Sequence, residues 1–195
     1  MQNPTFNWAR LVSNLCSPPI IWAVLVFPIA FRYTTSQGQA IFCAVTYIVL
    51  VCLLPALYIF WMVRQGHITD IHMKIRSERL RPFLVSILCT GFTWVILRAA
   101  NTPVVMPMMA AIMLALLVVM TVITLVWQIS MHAMSTTGAV IAVGAFFGVV
   151  PALLILPLVP LVGAARLRLQ RHTPAQILAG TLLGGLVTAL LLLVF

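Results

Sequence analysis

Three short polar stretches stand out in an otherwise apolar chain of 195 residues: Lys74 to Pro82, Ser130 to His132, and Arg166 to His172. In order they read Lys-x6-Arg-Pro, Ser-x-His and Arg-x5-His. Charged side chains beside a bilayer are costly to bury, so residues spent this way are functional candidates by default. Two histidines among several cations suit the chemistry of a phosphate. Arginine offers a planar fork to phosphate oxygens and lysine a point charge. Lys74, Arg81 and Arg166 supply such a clamp, with the Ser130 hydroxyl as a further phosphate-facing group. Without a metal, splitting a P–O bond calls for a nucleophile and for a proton donor to the departing alkoxide. Two histidines fill both roles through a phosphohistidine intermediate. His132 and His172 are the candidates.

Composition says what must position these groups. Hydrophobic residues make up 63% of the chain, charged residues 7%, and the mean hydropathy is +1.16, which marks an integral membrane protein. A span needs about 20 mostly apolar residues, so this length allows six or seven helices with short loops and no separate soluble domain. The net charge of +9 comes from eleven Lys and Arg against Asp70 and Glu78 alone. That balance favours anionic head groups or phosphorylated substrates. It does not favour nucleic acid, because most of the cations sit at the ends of apolar runs. The four cysteines lie in or beside those runs without metal-ligand spacing and read as small apolar residues. His67, Asp70 and His72 share one basic loop and make a poor metal site, so neither metal nor cofactor is expected.

The apolar runs are roughly 19–31, 40–63, 83–99, 103–128, 133–150, 151–165 and 174–195. For Ser130, His132, Arg166 and His172 to serve one site, an even number of crossings must separate the two stretches. Pro151 supplies a hairpin point, since proline cannot donate to the helix ladder and disfavours helix just before itself. Seven spans are therefore favoured over six. The face holding the polar stretches then collects Arg10, Arg64, Lys74, Arg76, Arg79, Arg81, Arg166, Arg168 and Arg171, leaving Arg32 and Arg98 opposite. By the positive-inside rule that face is cytoplasmic. The first apolar run lacks a small-x-small cleavage pattern and is expected to be a retained span. Gly180, Gly184 and Gly185 suggest close helix packing. Trp22, Trp61, Trp94 and Trp127 read as interface anchors or packing residues, and Met106, Met108, Met109 and Met113 as core filling or an adaptable lipid groove.

The ordered triplet resembles the type 2 phosphatidic acid phosphatase superfamily, membrane lipid-phosphate phosphatases with the signatures K-x6-R-P, P-S-G-H and S-R-x5-H-x3-D. Lys74 to Pro82 keeps the first in full. Ile129-Ser130-Met131-His132 keeps the serine and histidine of the second. Ala165-Arg166 and His172 carry the third, with Gln176 where the signature has aspartate. The likeness covers about residues 74–176, so a single transmembrane domain is expected, with a phosphatase-like core over about 74–195 behind two leading spans over about 19–63. It implies that Lys74, Arg81 and Arg166 bind phosphate, that His132 protonates the leaving group and that His172 is the nucleophile, with no metal. Gln176 would orient His172 through its carbonyl oxygen, without the aspartate's charge; otherwise Asp70 or Glu78 would fold back onto His172. The expected partners are membrane lipids and a phosphorylated lipid substrate: phosphatidate, its relatives, or an isoprenyl phosphate or diphosphate. The alternative is a catalytically silent relative that binds or moves such lipids. Short loops suit a prokaryotic inner membrane.

Overall fold

Proline, glycine and the basic clusters cut the apolar sequence into helices, and the computed structural model describes them for residues 7–195. Helix α1 (Trp8–Leu15) is capped by Asn7, whose side chain accepts from the Arg10 N–H. Helix α2 (Pro18–Tyr33) begins with two prolines, which the first turn tolerates because its N–H groups have no helical partner. The two helices meet at a 50° bend. Helices α3 (Gln37–Tyr47) and α4 (Leu54–Arg64) are joined by a π-helical segment, Ile48–Leu53, into one rod over Gln37–Arg64. Pro55 explains the join. It lacks a donor, and the looser π turn lets the Leu54 N–H reach the Val49 carbonyl just before it.

A 3-10 turn (Arg76–Arg79) leads into α5 (Leu80–Ala99), followed by α6 (Val105–Val126) and α7 (Met131–Phe147). Helices α8 (Val149–Ile155), α9 (Leu158–Arg168) and α10 (Pro174–Val194) complete the chain. Among the described residues, five stretches are long and apolar enough to cross a membrane, and the bent α1–α2 pair, counted as one span, makes a sixth. The protein is an all-α polytopic membrane protein. The seventh leg is α7, which at 17 residues is about 26 Å long and short of a full hydrocarbon core. It is lined with buried residues and packed by α2, α9 and α10, so it lies inside the bundle.

The hairpin after α7 turns at Gly148 instead of at Pro151. Gly148 holds φ +97°, a conformation that residues with a Cβ rarely adopt, and Pro151 falls in the first turn of α8, where its missing N–H is harmless. Helix α9 then packs back against α7. Opposite the polar stretches, Arg32 lies over the Phe147 ring at 5.5 Å and Tyr33 donates to the Phe146 carbonyl at 2.9 Å. Trp22 is a packing residue: it is fully buried and its indole N–H donates to Ser135 Oγ at 2.9 Å. Met106, Met108, Met109 and Met113 are all buried in the core. The tightest helix contact is α7 on α10. A Cβ on Gly180 would sit 2.5 Å from the Ser130 carbonyl oxygen, and one on Gly184 would meet the Met134 carbonyl closer still.

Candidate active site

Backbone contacts at one end of the bundle bring the polar stretches together. Ser130 caps α7, its hydroxyl accepting from the Ala133 N–H at 3.3 Å. The Ser130 N–H donates to the Gln176 carbonyl at 3.0 Å, which ties the start of α7 to the start of α10. His132 on α7 and His172 just ahead of α10 therefore share one cavity of about 330 Å³ with Arg166 from the end of α9. His72 and Arg79 line it as well. The opposite walls are apolar: Pro18 and Pro19 of α2 and Ala56, Ile59 and Phe60 of α4.

The cations are buried and short of counter-charge. Arg166 is 2% exposed and Arg79 4%. Arg79 reaches two backbone carbonyls, Met73 at 2.8 Å and Ile129 at 3.5 Å, and so fastens the loop before α5 to the segment before α7. Arg166 donates from Nη1 to Ser13 Oγ at 2.8 Å, while its buried Nε has no partner among the described residues. A buried guanidinium without a carboxylate is costly, which makes an anion the natural complement of this site. Asp70, one of the two acids, pairs with Arg171 and accepts from the His72 N–H at 3.1 Å. Burial alone would raise its pKa, but that N–H and the Arg171 guanidinium outweigh burial and hold the carboxyl below its usual range.

The histidine tautomers follow from their partners. Gln176 Oε1 accepts from the Thr173 N–H at 3.0 Å, which is a donor only and fixes the amide orientation. The same oxygen lies 3.2 Å from His172 Nδ1, so Nδ1 carries the proton and Nε2 keeps its lone pair. Glutamine thus takes the orienting position, and neither Asp70 nor Glu78 does; Glu78 accepts from the Thr69 hydroxyl at 3.0 Å. His132 Nε2 lies 3.1 Å from the Ser13 carbonyl oxygen, so this nitrogen bears hydrogen. Burial, then Arg166 and Arg79, push the His172 pKa down from 6.5 to about 3. A neutral imidazole with a free lone pair is the form a nucleophile needs. In histidine 15N NMR of the protein in detergent, the His172 signal, assigned by its loss in His172→Asn, is expected to stay neutral and protonated on Nδ1 down to about pH 5. Protonation near pH 6.5 would contradict the buried placement.

No family model, curated protein or solved structure matches this chain. What the site can do follows from its own groups.

The sequence candidates divide by placement. His132, His172 and Arg166 line the cavity, Gln176 orients His172, and Ser130 acts as the cap that positions α7. Lys74 and Arg81 are exposed and lie outside the cavity lining. Arg81 falls on the outward side of α5's first turn, and Lys74 contributes its carbonyl to Gln128 Nε2 at 3.2 Å. In their place stand His72 and Arg79, each two residues upstream and with the same seven-residue offset. A second reading of that spacing, His72-x6-Arg79, was available in the sequence. The proline after Arg81 favours the other register, and only the inward turn of the 3-10 segment separates the two.

Proposed function

We propose that this chain is an integral membrane phosphatase that hydrolyses a lipid phosphate or an isoprenyl phosphate or diphosphate through a phosphohistidine intermediate. The observation that carries the reading is Arg166, buried with an unpartnered Nε, in one cavity with two oppositely equipped imidazoles and an apolar wall. Arg166 and Arg79 neutralise the phosphate. His172 Nε2 attacks phosphorus, the P–O bond to the lipid breaks, and His132, entering the step as the imidazolium, turns its Nε2–H from the Ser13 carbonyl to the lipid oxygen, gives up that proton and is left neutral. A water molecule then gives a proton back to His132 and attacks the phosphohistidine, releasing inorganic phosphate and restoring His172. The apolar tail lies toward α2 and α4, and the head enters from the cytoplasmic face.

The test is phosphate release by purified protein over a panel of lipid phosphates and prenyl diphosphates with EDTA present. Turnover on at least one member supports the reading; none on any member sinks it. A second reading, a relative that binds such lipids without turnover, draws support from Ser13, whose hydroxyl and carbonyl occupy Arg166 and His132. Binding without release on the same panel would favour it. Gln176→Glu keeps the length of the orienting side chain and adds the charge that stabilises the cationic phosphohistidine. It is expected to raise turnover about tenfold, whereas an orienting carboxylate with no such role would leave kcat unchanged.

A further inference from the structure

We propose that His72 is a third phosphate-gripping residue of this site and takes up a proton when phosphate binds; the inference rests on the phosphatase reading above. Its position supports this role. The ring forms part of the wall between this cavity and a neighbouring polar cavity of about 430 Å³ lined by Arg10, Asn14, Asp70 and Arg171. The His72 and His132 ring centroids are 6.0 Å apart, edge to face. The backbone beneath the ring is fixed by the bond to Asp70, by the Asp70–Arg171 pair, and by Met73 at φ +47°.

Lysine in such a place carries its charge at every working pH, whereas histidine does not. The groups facing His72 are Arg10 from α1, Asp70 from its own loop, His132 from α7, Arg166 from α9 and Arg171 from the loop that follows. Burial comes first and Arg166 second in holding the His72 imidazole below 6.5, with Asp70 pulling the other way. Held neutral, the ring offers one N–H donor. A phosphate dianion placed between His72 and Arg166 turns the local field negative, which favours the imidazolium and its two donors. No bond to phosphorus forms or breaks in this step. One proton moves from bulk water to the ring, so phosphate affinity falls as pH rises, a dependence that a lysine would not show.

Calorimetry of inorganic phosphate binding to the full-length protein in detergent, in two buffers of different ionisation heat, counts the protons taken up. At about pH 7.5 the wild type is expected to take up about one proton more than His72→Lys. The ionisation of phosphate itself, and of His132 and His172, enters both measurements alike. Between about pH 7 and 8.5, wild-type phosphate affinity should fall about tenfold further than that of the lysine variant. His72→Gln, which keeps a donor but cannot be charged, should also lose the extra proton and guards against misfolding of the lysine variant. Equal proton uptake in wild type and both variants, with phosphate still bound and lipid phosphate still turned over, overturns the role of His72 alone. Absence of phosphate binding and of turnover in the wild type overturns the phosphatase reading and this inference with it.

Discussion

His172→Ala is expected to abolish phosphate release, lowering kcat by at least about three orders of magnitude while leaving the helices folded. Removal of a covalent nucleophile commonly costs that much or more, because the remaining site can bind and orient but has no group to accept the phosphoryl. The fold should tolerate the change. His172 lies in the short loop between α9 and α10, and Gln176, its side-chain partner among the described residues, keeps its capping bond to the Thr173 N–H without it. Circular dichroism and gel filtration of the variant should therefore match wild type. The comparison that gives the result its meaning is Arg166→Lys. It keeps a charge but loses the fork, and should raise KM more than it lowers kcat. A His172→Ala protein that still releases phosphate at a wild-type rate would remove the phosphohistidine step from the mechanism.

Much of this arrangement was legible in the sequence, for physical reasons that can be assigned residue by residue. Seven apolar runs between basic clusters can fold in few ways, and the need to place Ser130, His132, Arg166 and His172 on one face required a hairpin between α7 and α9. That hairpin is present, though glycine makes the turn because Gly148 alone takes the required positive φ at no cost, while Pro151 is absorbed by the next helix. The histidines and Arg166 were recognisable because a buried polar residue in an apolar chain has few other uses. Lys74 and Arg81 mark a limit of this logic, since both lie outside the cavity lining. A seven-residue spacing fits two registers in the loop, and which one faces inward depends on a 3-10 turn that has no hydrophobic periodicity to betray it. Ser13 was invisible for another reason. Its contacts with His132 and Arg166 span more than a hundred residues and depend on the bend between α1 and α2.

Gly184→Ala is expected to be the most damaging single-methyl change in the protein, lowering stability by about 3 kcal/mol or more, at the upper end of what overpacking costs. The added Cβ would run into the Met134 carbonyl oxygen, a backbone atom that can retreat only if α7 and α10 part. The seam is a close backbone approach: Gly180, Gly184 and Thr188 on α10 face the backbone of Ser130, the cap of α7, and of Met134, and then Gly138, each set at four-residue spacing. Gly138 is less constrained than Gly180 and Gly184, since a Cβ there would meet a side-chain atom, Thr188 Oγ1, at 2.9 Å. The control is Gly185→Ala, whose methyl would make an ordinary 3.4 Å contact with Thr137 Cγ2 and should leave the melting temperature within about a degree of wild type. The same seam sets the chemistry, because α7 carries His132 and the start of α10 carries the residue that orients His172. Any Gly184→Ala protein that does fold should thus separate His132 from His172 and, on the phosphatase reading, lose kcat out of proportion to KM. Two alanine variants that melt together and turn over alike would mean that α7 and α10 are not packed backbone to backbone, and that the two histidines are held in register by something other than this seam.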